Sequence, residues 1–249
     1  MPRAASESPA ASLRPRPIPL EDASAGSWLA RVRQTLVSLI LRPAQSFRVC
    51  PEPIDHGRVL RFLATLRLPP WIALLAALAF QHMSTPEGSG VPMRSVYAFL
   101  EPPLARVLSL WVVLMIPVGL PLLYFVSGLL AHIGVALTGG ASRSIGASMR
   151  ACGYVLGLVL LVLGVLDIPL YLGQVPGDAY VVVLGTVGLV YWSLTGIALA
   201  RTHQIGVPRG WMAALLPTLV LVAVTFGRAW LELTNVPGFR TPGGPYALP

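Results

Sequence analysis

The chain has 249 residues, of which 55% are hydrophobic and only 11% charged. Soluble domains carry about 25% charged residues and cannot hide so much apolar surface in one core, so the composition excludes an ordinary soluble fold and requires lipid. The net charge of +8 comes from 18 basic residues, all arginine, against 10 acidic ones. They lie between apolar runs rather than clustering with aromatics, which argues against a nucleic-acid face and for membrane topology signals.

In chain order, residues 1–26 are rich in Pro, Ser, Ala and Arg without the apolar core of a secretory signal, and read as a disordered tail. Residues 27–57 read as an amphipathic helix and a linker. Trp28, Leu29, Val32, Leu36, Leu39 and Ile40 share one face, Arg31, Gln34, Ser38 and Arg42 lie opposite, and Pro43 stops the helix. Two placements stay open. The helix lies on an anionic leaflet with Arg31, Arg33 and Arg42 contacting lipid head groups, or it packs on the rest of the protein.

Residues 58–235 read as a membrane domain of five spans. The first is the least regular, because its clean apolar stretch from Leu68 to Phe80 falls short of the roughly 20 residues that cross a ~30 Å hydrocarbon core. Extension back to Phe62 takes in Arg67 and the pair Pro69-Pro70. The segment is then a span whose Arg67 snorkels to the inner surface, or a re-entrant or surface piece. The second run, Val107 to Ala131, continues through His132 to Leu137 and should bend at Pro117 and Pro121. Ala151 to Tyr171 is interrupted only by Asp167, Ala179 to Ala200 is uncharged, and Gly210 to Gly227 is followed by Arg228. Residues 236–249 form a second disordered tail. The expected fold is an all-α integral membrane bundle of five transmembrane helices with an N-terminal amphipathic interfacial helix.

Arginine counts orient it. The arm before the first span holds Arg31, Arg33, Arg42, Arg48, Arg58 and Arg61, and the loops after the second and fourth spans hold Arg143, Arg150, Arg201 and Arg209, whereas the intervening connections are poor in Arg for their length. Basic loops stay inside, which puts the N-terminus in the cytoplasm and the C-terminus outside, with Cys50 and Cys152 as reduced thiols on the cytoplasmic side. Gly153, Gly157 and Gly164 stripe the third span and Gly185, Gly188 and Gly196 the fourth; such small residues serve close packing within the bundle or a dimer.

Intramembrane polar groups point to transport or catalysis, and here they are few. His132 and His203 read as interfacial residues rather than ligands. No metalloprotease, nucleophile-elbow or phosphate-loop motif occurs, so no enzyme activity, metal or other cofactor is expected. The one intramembrane acid, Asp167, invites a partner. Counted along their helices, Asp167 and Arg228 both lie roughly 25 Å from the inner face, which makes them a candidate ion pair, with Arg106 and Glu232 as alternative partners.

Leu41-Arg42-Pro43 followed by Ser46-Phe47, Thr138-Gly139-Gly140 after the second span, Tyr154, Ile168-Pro169 with Gly173, and Gly196 ahead of His203 and Gly206 resemble the bacterial branch of the Yip (Ypt-interacting protein) membrane domain. The resemblance covers roughly Leu36 to Trp230. It implies a five-span bundle with a cytoplasmic N-terminus in a bacterial cytoplasmic membrane. Eukaryotic members associate with Rab-type GTPases and other membrane proteins, but their Asp-Leu-Tyr-Gly-Pro motif is absent here. The implied function is that of a non-enzymatic membrane organiser or adaptor whose partners are the bilayer, anionic lipid head groups, and other membrane proteins or a second copy. A small-solute transporter or channel subunit is the alternative.

Overall fold

The structure is a computed structural model and describes residues 17–84, 115–171 and 177–233. Among these residues it is all-helical: α1 (Trp28–Leu41), α2 (Pro43–Ser46), α3 (His56–Ser84), α4 (Leu120–Leu137), α5 (Ile145–Tyr171), α6 (Gly177–His203) and α7 (Val207–Leu233). The five from α3 to α7 are long and apolar enough to cross a membrane, over His56–Ala77, Pro117–Leu137, Ile145–Pro169, Val181–His203 and Val207–Thr225.

Local chemistry accounts for the ends. Ser27 caps α1, accepting from the Ala30 N–H at 3.4 Å, and the Asp55 carboxylate accepts the Arg58 N–H at 2.9 Å at the start of α3. The Thr138-Gly139-Gly140 run is a Schellman close. Gly139 takes φ +72°, its N–H bonds the Ala136 carbonyl at 2.9 Å, and the Gly140 N–H bonds that of Val135 at 3.0 Å. Pro117 falls in a π-helical turn, Met115–Gly119, and Pro121 in the first turn of α4, where a missing N–H matters least. The irregular first span is one helix that runs through Pro69 and Pro70 without a break.

Helix α5 is central, with 67% of its membrane window buried against 28–39% for the other four. It packs on α3, α4 and α6, and α7 closes the group against α4 and α6. Its neighbours α4 and α6 run opposite to it, while α3 runs alongside in the same direction. The ends that carry the N-terminal arm form one face, called the arm face below.

Glycines set these contacts. A Cβ on Gly153 would come within 2.6 Å of Tyr124, one on Gly157 within 2.4 Å of Phe62, and one on Gly164 within 2.7 Å of the Arg67 guanidinium. On α6, Gly188 and Gly196 abut Val222 and Trp211 of α7, whereas a Cβ on Gly185 would meet nothing. Five of the six stripe glycines therefore serve packing within the chain.

The arm departs from the sequence expectation. Within the segment read as a disordered tail, residues 17–26 form two 3-10 turns, Pro19–Glu21 and Ala23–Ala25, and Ile18 and Leu20 are fully buried. Composition averaged over the tail hides two apolar side chains that find the bundle. For α1 both placements contain part of the answer. Val32, Thr35 and Leu39 are buried against the protein, yet Leu29, Val37, Ile40 and Leu41 stay exposed.

Candidate functional site

The densest polar chemistry lies where the arm meets the bundle. Pro19 starts the first 3-10 turn, whose closing bond runs from the Glu21 N–H to the Ile18 carbonyl at 2.8 Å. The Leu20 N–H donates to Thr35 Oγ1 of α1 at 3.0 Å, and Arg31 donates to the Leu20 carbonyl at 3.4 Å. Asp22 then holds the next turn. The Ser24 hydroxyl, followed by the Ser24 N–H, keeps its carboxyl below the usual carboxylate range.

These bonds aim the Glu21 carboxylate into the bundle. It meets Arg150 of α5 side-on, with Nε at 2.5 Å and Nη2 at 2.6 Å, and accepts from the Tyr154 hydroxyl at 3.2 Å. Side-chain exposure is 1% for Arg150 and 8% for Glu21, so this bidentate pair is shielded from water. Arg150 Nη2 also donates to the Val49 carbonyl at 3.2 Å and Arg58 to the Glu21 carbonyl at 3.1 Å, which ties the linker and α3 to the same point. Beside the pair lies a cavity of about 230 Å³, lined in part by Asp55, Arg58 and Tyr154. Cys50 sits next to it, and burial pushes its thiol up.

A second cluster joins α4, α5 and α6 at the same face. The Arg143 N–H donates to His203 Nδ1 at 3.3 Å, which leaves the ring proton of a neutral His203 on Nε2, facing Ser148 Oγ at 2.8 Å. Ser148 in turn faces His132 Nδ1 at 3.1 Å. The fully buried Ser148 hydroxyl thus bridges the two histidines read as separate interfacial residues. Close by, the Tyr124 hydroxyl meets His56 Nδ1 at 2.7 Å, linking α4 to α3.

The third feature lies deeper. Arg67 of α3, read as snorkelling to the inner surface, is instead buried and bonds Asp167 Oδ2 at 2.7 Å, with side-chain exposures of 7% and 2%. Its other amino group reaches the Leu160 carbonyl at 3.4 Å, passing over Gly164, where the absence of a side chain leaves the way open. Pairing wins over snorkelling because α3 runs parallel to α5 and brings the carboxylate within reach. The expected pairing of Asp167 with Arg228, or with Arg106 or Glu232 as alternatives, concerns side chains outside the described residues. Of the three arginines assigned to anionic lipid, Arg33 and Arg42 are exposed, while Arg31 is turned onto the Leu20 carbonyl and the Trp28 ring.

Glu21, Arg150 and Tyr154 were not singled out together by the sequence, because a buried pair 129 residues apart leaves no local trace. The one signal is Glu21 itself, an acid that follows Ile18 and Leu20 in a tail otherwise rich in Pro, Ser, Ala and Arg. Among the described residues no group of three His, Cys, Asp or Glu side chains is placed to hold a metal ion. Chemically, the ion pairs are clamps that satisfy each other's charges and fix elements in place. No family model matches the chain, and neither a curated protein nor a solved structure matches it.

Proposed function

We propose that the protein is a non-enzymatic membrane organiser or adaptor of Yip type, in a bacterial cytoplasmic membrane with its N-terminus in the cytoplasm. One arrangement supports the reading. The Glu21–Arg150 pair spends its buried polarity on docking the arm, and beside the docked arm the linker and loops carry exposed Arg48, Arg201 and Arg209, with exposed Arg33 and Arg42 lower on the flank of the bundle. A basic, pre-ordered surface beside the membrane suits contact with anionic head groups and with acidic regions of other membrane proteins.

Photo-crosslinking side chains placed at Arg42 and Arg209 test it in native membranes. An adaptor gives one discrete protein adduct that disappears when Arg48 and Arg201 are both changed to Glu. Lipid adducts alone would overturn the adaptor reading. Orientation is tested with a single cysteine at exposed Gly206, in a chain lacking Cys50 and Cys152. It should react with an impermeant thiol reagent only after the cells are permeabilised.

The transporter reading keeps one observation in its favour: Ser127 and Thr195 flank the Tyr191 hydroxyl inside the bundle, and all three hydroxyls are buried without a well-formed hydrogen bond. A polar path would begin there, and solute flux into vesicles that is abolished by Tyr191→Phe would favour it over the adaptor.

A further inference from the structure

Helix α1 crosses the bundle rather than running along it. At its start, the Trp28 indole N–H bonds Thr65 Oγ1 at 3.1 Å, with the Arg61 guanidinium 4.4 Å above the Trp28 ring. Thr65 lies nine residues into α3, or about 13 Å from the arm-face end of that helix at 1.5 Å per residue. Near its other end, Ile40 lines a groove of about 420 Å³ together with Leu158 of α5 and Leu189, Val190 and Leu194 of α6. Leu158 and Val190 lie thirteen residues from the arm-face ends of their helices, about 20 Å. Helix α1 therefore slants, from about 13 Å below the arm face at Trp28 to about 20 Å at Ile40, the mid-length of α5 and α6, and stays on the arm side of the bundle's middle. Short α2 then packs on α6 and carries the chain back towards that face.

Most of what faces away from the bundle is apolar, with Gln34 exposed among it. Leu29, Val37, Ile40 and Leu41 are 68, 47, 59 and 71% exposed, beside exposed Arg33 and Arg42. At that depth water would meet four large hydrophobic side chains, whereas lipid meets them with acyl chains and meets the arginines with phosphates. The groove at Ile40 continues into the apolar outer surface of α6, which the bilayer also covers.

From this placement we propose a further function: the protein is an asymmetric wedge that favours membrane whose arm-side leaflet is convex. The helix is about 21 Å long and ~10 Å wide, so it occupies roughly 200 Å² of one leaflet. Five spans of ~10 Å diameter occupy about 400 Å² in each leaflet, so α1 enlarges the arm-side cross-section by around half. Nothing among the described residues matches it on the far side. A body wider in one leaflet is accommodated most easily where that leaflet is stretched over a convex surface. The inference extends the organiser reading from partners to membrane shape and rests on the chain spanning the bilayer.

Vesicles test it with the full chain in equal parts phosphatidylcholine and phosphatidylglycerol. A single cysteine at Gly206 reports which chains have the arm outside. In small sonicated vesicles, whose outer leaflet is strongly convex, the arm-out to arm-in ratio should exceed that in large extruded vesicles by roughly twofold or more. Changing Leu29, Val37 and Leu41 together to Gln, none of them in the core, should remove the bias while the chain still inserts. A ratio independent of vesicle size in the unmodified chain overturns the wedge. Nitroxides at Val37 and Leu41 supply the second reading: greater access to oxygen than to a water-soluble nickel complex supports it, and the reverse places the row in water and overturns it. The adaptor reading fails separately, by loss of the discrete crosslink while the size dependence persists.

Discussion

Changing Glu21 to Gln removes the charge that Arg150 faces while keeping the shape of the side chain. Arg150 would then be a guanidinium of 1% side-chain exposure whose remaining bonds are the Val49 carbonyl and whatever the amide oxygen offers. Deleting one partner of a buried pair destabilises the paired state by about 3–5 kcal/mol. Here the molecule has a cheaper escape than global unfolding, because residues 17–26 can lift away and let water reach Arg150. The change should therefore appear as undocking of the arm, by roughly two to three and a half powers of ten in its equilibrium. Hydrogen exchange in lipid nanodiscs measures it through the Leu20 amide, which is held by Thr35 Oγ1 in the docked state. That amide should lose its protection while those around Gly157 in α5 keep theirs. Adding Arg150→Met should restore part of the protection, since the unpaired charge is gone. Less than about a tenfold acceleration at Leu20 in the single variant would refute the claim that the pair holds the arm.

Three further outcomes follow from the packing. Asp167→Asn should lower thermal stability in detergent by about 3–5 kcal/mol, and Arg67→Met on top of it should recover part of the loss; additive losses would deny the coupling. Gly164→Ala pushes a methyl to 2.7 Å from the Arg67 guanidinium and 2.8 Å from the Pro70 ring, so it should destabilise clearly in the same melt, while Gly185→Ala, with nothing within 4 Å, should stay within about 0.5 kcal/mol of the parent. At Cys50, burial raises the thiol above its usual range, so less thiolate is present at a given pH than in the unfolded chain. Its alkylation should be slower at pH 8 than that of an unstructured peptide of the same local sequence, and should reach its plateau only at higher pH; equal rates would contradict the burial.

Four of the five helices were legible as long apolar runs; the bend expected at Pro117 and Pro121 belongs to a run whose first part, residues 107–114, lies outside the described residues, and what is described there is a π-helical turn at Pro117. The glycine stripes were legible too, since close approach in lipid needs small residues at fixed spacing. The first span was harder for a reason hydropathy cannot repair: Arg67 reads as an interruption until its charge is matched by Asp167, 100 residues further on. The docking site was invisible on the same ground. Glu21 and Arg150 each look like ordinary surface charges in their own neighbourhoods, and only the parallel course of α3 and α5 with the returning arm brings them indoors. The histidine cluster shows the same limit, for Ser148 carries no motif and His132 and His203 are far apart along the chain.

The separation between Arg67 and Asp167 also bears on how the chain enters the bilayer. At 5–20 residues per second, synthesis of the intervening 100 residues takes about 5–20 s. During that interval α3 is already exposed to the insertion machinery with an arginine that raises its transfer free energy by roughly 2.5–3.5 kcal/mol at the helix centre. Keeping Arg67 near the head groups would relieve this in the nascent helix. Once α5 is in place, the guanidinium would move deeper, past Gly164, to reach its carboxylate. A chain arrested before Asp167 should therefore hold α3 at a shallower depth than the finished protein does, and glycosylation-distance mapping of the two would register the difference.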